Sequence, residues 1–269
     1  MEKNWTGERL ETFIYSRDAI EHLHRYAIVN DYIANKVVLD IACGEGYGSN
    51  SIAEKAKLVY GVDIDAVTVA NAAKKYKKDN LKFSVGDAIK IPFEDASIDV
   101  VVSFETIEHH DKHDEMMAEI KRVLKPEGLV IISTPDKHYY SDVPNFKNKF
   151  HVKELYKDEF SKLIGNYFNH HQLVTQGYYD GISVIQEDQP TFSLPVFTGD
   201  YSQIFKKETN PLYVIAIASN TNNFERQKVS VFEGSCIIEK QAAANVYSSN
   251  SFKLGNLLLS PLKFLKKKL

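Results

Sequence analysis

Only two cysteines occur in the 269 residues, Cys43 and Cys236. They stand far apart, suggest no disulfide framework and fit a reducing compartment. No apolar run approaches the roughly 20 residues that cross a bilayer. The opening MEKNWTGERLE is polar and charged, and no secretory signal is read there. An excess of one charge is also missing. The 33 basic and 36 acidic residues leave a net charge of −3, which gives no reason to expect a nucleic-acid partner. No internal repeat is found. A cytoplasmic protein is expected, with one large core and a small appended element.

Against these absences, one stretch stands out: VVLDIACGEGYG, residues 37–48. The apolar run before the turn reads as a strand buried on both faces. The glycines let the backbone turn tightly and approach a ligand. A helix from Ser49 to Lys57 follows. Strand, glycine turn and helix open a nucleotide-binding βαβ unit, with the ligand at the strand's carboxyl end. A dinucleotide turn G-x-G-x-x-G would need glycine at 49, where Ser49 stands. Asp40 adds a negative field that a pyrophosphate has no use for and a cation welcomes. The next strand, Leu58 to Val62, ends in Asp63, close to the spacing at which an acid caps a ribose diol. An adenosine joined to a cation, S-adenosylmethionine, suits this set.

The sequence resembles class I S-adenosylmethionine-dependent methyltransferases, and bacterial polysaccharide-biosynthesis methyltransferases in particular. The motifs are VLDIACGEGYGS (38–49), GVDID (61–65), VGDAIKIPFEDASIDVVVSFETIEH (85–109) and RVLKPEGLVIISTP (122–135). The more particular likeness rests on FHVKEL, residues 150–155. The resemblance implies a Rossmann-like, doubly wound α/β fold with a seven-stranded mixed sheet, an N-terminal helical cover and a C-terminal amphipathic extension. It implies cofactor contacts from Tyr26, Asp40, Ala42, Gly44, Gly46, Asp63, Ile64, Gly86, Asp87, Ala88, Phe104 and Glu105. Asp87 would bond the adenine amino group, and the amide after it a ring nitrogen.

The chain divides into an arm and cover helix (1–35), a methyltransferase domain with acceptor-site insertions (36–245) and a basic amphipathic tail (246–269). Ser16 is read as the N-cap of a helix reaching about Ala34. Arg25 on it is a natural partner for the methionine carboxylate. Lysines 74, 75, 77 and 78 end an outer helix, where they suit the macrodipole. Ile98 to Phe104 is a central strand that delivers Glu105-Thr106-Ile107-Glu108-His109-His110 toward the methyl group. The segment lacks the N/D-P-P-Y/F signature of nucleobase amino methylation, and its carboxylates and imidazoles suit an oxygen acceptor. His109, with Glu108 beside it, is the expected catalytic base, since imidazole titrates near neutrality. His110, Asp111, His113 and Asp114 read as a polar helix start, with a metal site at these four residues as the lesser alternative, and no metal ligand is assigned.

Asp111 to Leu124 is read as a helix with a Met116–Met117 core stripe, closed by Lys125-Pro126-Glu127-Gly128. Residues 136–150, with Tyr139 and Tyr140, wall an acceptor pocket suited to a sugar. His171 to Tyr178 and Leu212 to Ser219 are the last pair of strands, the final one antiparallel. Asp180 to Asn210 is a long loop whose Phe192, Phe197, Tyr201 and Phe205 line or cover the site. Val229 to Glu239 is one more strand. From Phe252 to Leu269, leucines interleaved with lysines read as a membrane-surface or partner-docking helix. The expected activity is O-methylation of a sugar hydroxyl in a cell-surface polysaccharide or its precursor, a glycan or glycolipid acceptor. It would be performed in the cytoplasm, peripherally at the inner membrane face. The alternatives are methylation of a quinone or lipid, and a scaffold that keeps the fold without turnover.

Overall fold

The computed structural model describes residue 7, residues 9–188 and residues 194–266, with side chains as far as 259. Trp5 of the arm, Phe192 and the last three residues lie outside the described residues.

The centre of the molecule is five parallel strands: β1 (Val37–Ile41), β2 (Leu58–Asp63), β3 (Leu81–Val85), β4 (Ile98–Phe104) and β5 (Leu124–Pro135). β1, β4 and β5 are β-branched and almost wholly buried. Both their faces are covered by helices, as parallel sheets require. Leu39 and Ile41 of β1 join Val130 and Ile132 of β5 in one core, under the helices α4 (His113–Val123) and α5 (Lys157–Tyr167). Met116, Met117, Ile120 and Phe160 fill that side. Val38, Leu129 and Ile131 point to the other core, under α1 (Arg17–Val29) and α2 (Tyr47–Ile52). α3 (Ala66–Lys75) packs on β2 and β3. It starts on Asp65, whose carboxylate accepts from the Thr68 N–H at 2.8 Å.

The main sheet has nine strands, not seven, in the order β11-β7-β6-β10-β5-β4-β1-β2-β3. β6 (His170–Tyr179) and β10 (Tyr213–Ser219) are the expected last pair, and β10 runs antiparallel to both β5 and β6. The two additional strands are β7 (Ile182–Glu187) and β11 (Val229–Glu233), which extend the edge beyond β6. β7 falls within what reads as a loop from Asp180. Asp180 and Gly181 both take positive φ, 46° and 95°, and fold β6 back onto β7 as a tight hairpin. A separate hairpin, β8 (Val196–Gly199) with β9 (Ile204–Lys207), occupies the rest of that segment.

Other boundaries differ as well. α1 ends at Val29, although Ser16 caps it as expected, its Oγ accepting from the Ala19 N–H at 3.4 Å. α4 ends at Val123, just before Lys125 to Gly128 as expected, but these residues do not form a free turn. β5 already begins at Leu124, and a register shift against β4 absorbs these residues. After β11 the chain turns helical, α6 (Ser235–Ser248), where the strand was expected to continue to Glu239. α7 (Asn250–Lys266) follows, and Leu254, Leu257, Leu258 and Leu259 on it are exposed.

Strand order reverses between β1 and β4. The chain leaves β1 outward through β2 and β3, then returns to β4 on β1's other side. Ligands of open α/β sheets sit at the carboxyl ends of the strands at such a point.

Candidate active site

A cavity of about 750 Å³ opens at these strand ends. Its walls come from the tips of β1, β2, β3 and β4, from α1, and from residues 140–151. The β1 tip turns through Ala42, whose φ is 59°, and Gly44, whose φ is 54°. A side chain on Gly44 would project into the cavity, its nearest neighbour being Arg9 Cδ at 4.0 Å. The bare glycine therefore makes room for a ligand against the backbone. Asp63, at the tip of β2, accepts from the Gly44 N–H at 2.9 Å, the Asp65 N–H at 3.0 Å and Arg9 Nη2 at 3.2 Å. Those bonds hold the carboxylate at the cavity wall. Next to it Ile64 is 64% exposed, an apolar face that the edge of an adenine ring would cover. Gly86, Asp87 and Ala88 line the cavity after β3, and Asp87 accepts from the Ile89 N–H at 3.1 Å.

Tyr26 reaches this wall from α1. Its ring meets Phe104 edge-on at 5.1 Å and Tyr47 at 5.7 Å. Its hydroxyl donates to Asp40 at 3.3 Å, and Ser49 Oγ donates to Asp40 at 2.6 Å. Asp40 is thus buried beneath the turn rather than lining the cavity, and it ties α1 and α2 to β1. Burial pushes its carboxyl up to about 7, against the pull of the Ser49 and Tyr26 bonds. Gly46 lies at the start of α2 with φ 87°, below the cavity wall. The cavity thus brings together Tyr26, Ala42, Gly44, Asp63, Ile64, Gly86, Asp87, Ala88, Phe104, Glu105, Glu108 and His109, and omits Asp40 and Gly46. Arg25 is fully buried outside the lining. Its Nη1 donates to Gln176 Oε1 at 2.7 Å, it stands 3.8 Å from Glu105, and its guanidinium lies over the Tyr213 ring.

Glu105 begins the β4 tip with φ 53° and accepts from Ser133 Oγ at 2.6 Å. A turn of 3₁₀ helix, Ile107–His109, then presents Glu108 and His109. Residues 151–153 fold against this turn: the Val152 and Lys153 N–H groups both donate to the Glu108 carbonyl, at 2.9 and 3.1 Å. That pairing places His151 beside the turn, a neighbour that sequence distance hides. Glu108 is 1% exposed, and its Oε1 has no hydrogen-bond partner among the described residues. Burial, and then the nearby Glu105 charge, hold its carboxyl well above the usual range. His109 Nδ1 donates to the Phe150 carbonyl at 3.1 Å. His151 Nδ1 meets Glu154 Oε1 at 2.5 Å. Neutral imidazoles so engaged carry their lone pairs on Nε2. One ligating atom each from Glu108, His109 and His151 lie within 4.8 Å of one another. His110 and His113 turn elsewhere: His113 Nε2 donates to the His110 carbonyl at 2.8 Å.

Residues 39–132 match the model of a methyltransferase domain. A probable S-adenosylmethionine-dependent methyltransferase of Mycolicibacterium smegmatis is 39% identical over 134 residues, 49% of this chain and 51% of that protein. A fatty-acid O-methyltransferase of the same organism is 27% identical over 134 residues, 49% of this chain and 48% of the relative. The chain spans about half the length of the curated relatives it matches. The crystal structure of the YcgJ protein from Bacillus subtilis superposes with a TM-score of 0.56 at 18% identity, over 75% of this chain and all of that one. The fold is Rossmann-like, and residues 39–132 resemble a methyltransferase domain. The open face of Gly44, the Asp63 carboxylate and the bare Ile64 suit the adenosyl half of S-adenosylmethionine, the methyl donor in the name of the Mycolicibacterium relative.

Proposed function

We propose that this chain methylates a hydroxyl oxygen, the acceptor being a sugar of a cell-surface polysaccharide or of its lipid-linked precursor. The grouping of Glu108, His109 and His151 at one wall of the cavity carries the reading, because a hydroxyl must lose a proton as it is methylated. S-adenosylmethionine supplies a methyl group on a sulfonium, a good leaving group. The chain's own residues then position and deprotonate. Tyr26, Phe104 and Glu105 line the expected methionine end, and Asp63, Ile64 and Asp87 the adenosine end. Positioning contributes roughly 7–11 kcal/mol in favourable intramolecular reactions. A well-placed base adds ~10²–10⁴-fold. Among the groups at this wall His109 is the base we propose, its Nδ1–H held by the Phe150 carbonyl so that Nε2 is the acceptor nitrogen of the neutral ring.

The sugar reading draws on the rim. Tyr140, Asn148, Phe150, His151 and Tyr213 give aromatic faces beside amide and imidazole groups, a surface suited to a ring bearing hydroxyls. Mass spectrometry of surface glycans from cells with and without the active protein should show a methyl increment present only with it. Unchanged glycans alongside methylated lipid extracts would favour a second reading, a lipid or quinone acceptor. The exposed leucines of α7 and the relative named as acting on fatty acids favour that reading. A fold kept without turnover would release no S-adenosylhomocysteine with either extract. Asp63→Ala should abolish calorimetric binding of S-adenosylmethionine, and full retained affinity would refute the ribose role.

A further inference from the structure

We propose that Glu108, His109 and His151 hold a divalent cation, and that this cation binds and acidifies the acceptor hydroxyl. The inference rests on the hydroxyl-methylation reading above and gives His109 the part of a ligand. The metal alternative open in the sequence falls on other residues, His110, Asp111, His113 and Asp114.

Three observations converge. The ligating atoms are close: one from each residue, all within 4.8 Å of one another. Ligands about 2.1 Å from a metal at tetrahedral angles stand about 3.4 Å apart, so side-chain shifts of about 1 Å close the set. The ring nitrogens are also prepared. A metal-bound histidine donates its other N–H to a carboxylate or a backbone carbonyl, which fixes the ring. Both forms occur here, Glu154 for His151 and the Phe150 carbonyl for His109. The two rings stand nearly perpendicular, 84°, with centroids 5.3 Å apart. Finally, the Glu108 Oε1 atom is buried at the cavity wall and lacks a hydrogen-bond partner among the described residues. Its other oxygen has only Thr134 Oγ1 at 3.5 Å. A buried acceptor without a donor is costly, and a cation satisfies it. Asn148 Nδ2 donates to His151 Nε2 at 3.0 Å and to Tyr140 Oη at 3.1 Å, and a cation on His151 Nε2 would take the place of the first of these bonds.

Two imidazoles and one carboxylate favour a first-row cation such as Zn²⁺, Co²⁺ or Mn²⁺ over a hard ion that wants only oxygen. Three protein ligands leave a position for the acceptor oxygen. Bound there, the hydroxyl is acidified and its proton passes to water. The O–CH₃ bond forms as the S–CH₃ bond breaks, and S-adenosylhomocysteine leaves. No electron changes hands.

The test uses untagged, metal-stripped protein and Co²⁺ alone, followed by calorimetry and by the visible absorption of bound Co²⁺. Wild type should take up one Co²⁺ per chain. Glu108→Gln and His151→Ala should each weaken it at least 10-fold, and His170→Ala, an exposed histidine elsewhere, should not. Circular dichroism and S-adenosylmethionine affinity should be the same in all four, which separates lost ligation from misfolding. Equal Co²⁺ binding by wild type and a His109→Ala/His151→Ala double variant would overturn the proposal. So would methyl transfer that runs undiminished in EDTA, an outcome that leaves hydroxyl methylation by a protein base standing. Failure of the methylation reading itself appears elsewhere, as absent S-adenosylmethionine binding in wild type.

Discussion

Tyr26 and Gly48 form one contact that neither residue type announces. A methyl group on Gly48 would lie 1.9 Å from Tyr26 Cζ, so the ring of the cover helix rests directly on the backbone of α2. Gly48→Ala should therefore expel the ring, cost roughly 1–3 kcal/mol as overpacking does, and weaken S-adenosylmethionine binding; denaturant titration and calorimetry check the two parts. His24 makes a prediction about pH. Its ring nitrogens stand 2.9 Å from Ser183 and 2.9 Å from Ser230, and burial, helped by the Arg25 charge, pulls it from 6.5 down to about 4. The unfolded chain then binds this proton more readily than the folded one. Stability is complete above pH 6.5 and is lost as pH falls from there toward 4. Between pH 7 and pH 5 the loss from this group is about 2 kcal/mol. Urea titrations of wild type and His24→Gln at the two pH values should differ by that slope. At this scale the sequence led to residues that do line the cavity, as with Asp63 and Gly44. It was silent on His151, whose partners come from a fold-back and not from spacing.

Elements were legible in proportion to their burial. β1 and β4 are continuous apolar runs because both faces are covered, and α4 shows its stripe because one face is. The outer edge was harder. The Asp180-Gly181 dipeptide between aromatic and β-branched residues is a hairpin signal, and β7 follows from it. Its pairing with β11, whose nearest partners in sequence, Gln186 and Val229, stand 43 residues apart, leaves no local trace. α6 and α7 invite a prediction of their own. From Lys240 onward the chain has six lysines and no acidic residue, and Leu254, Leu257 and Leu258 are exposed. We propose that this segment lies on an anionic bilayer surface, where each basic residue contributes about 1 kcal/mol. Removal of residues 250–269 should abolish co-sedimentation with phosphatidylserine vesicles while leaving S-adenosylmethionine affinity intact. Retained sedimentation would refute it.

Across the whole molecule the cofactor should act as a brace. Its cavity is walled by α1, by four strand tips and by residues 140–151, which are far apart in the chain. A ligand that binds only the folded state at 100 times its Kd adds ~2.7 kcal/mol. For a chain of this size that raises the melting temperature by ~5–10 °C. Thermal scans with S-adenosylmethionine should show this rise, and Asp63→Ala should lose it.

The two amide groups at 152 and 153 that share the Glu108 carbonyl have a wider consequence. On the reading proposed above, they clip the loop that would frame the acceptor to the turn that carries Glu108 and His109. A guest too bulky for the frame would drag that turn out of line as it pushed the loop aside. Selection by bulk and competence for reaction are thereby one adjustment, and broadening the first by mutation here would blunt the second.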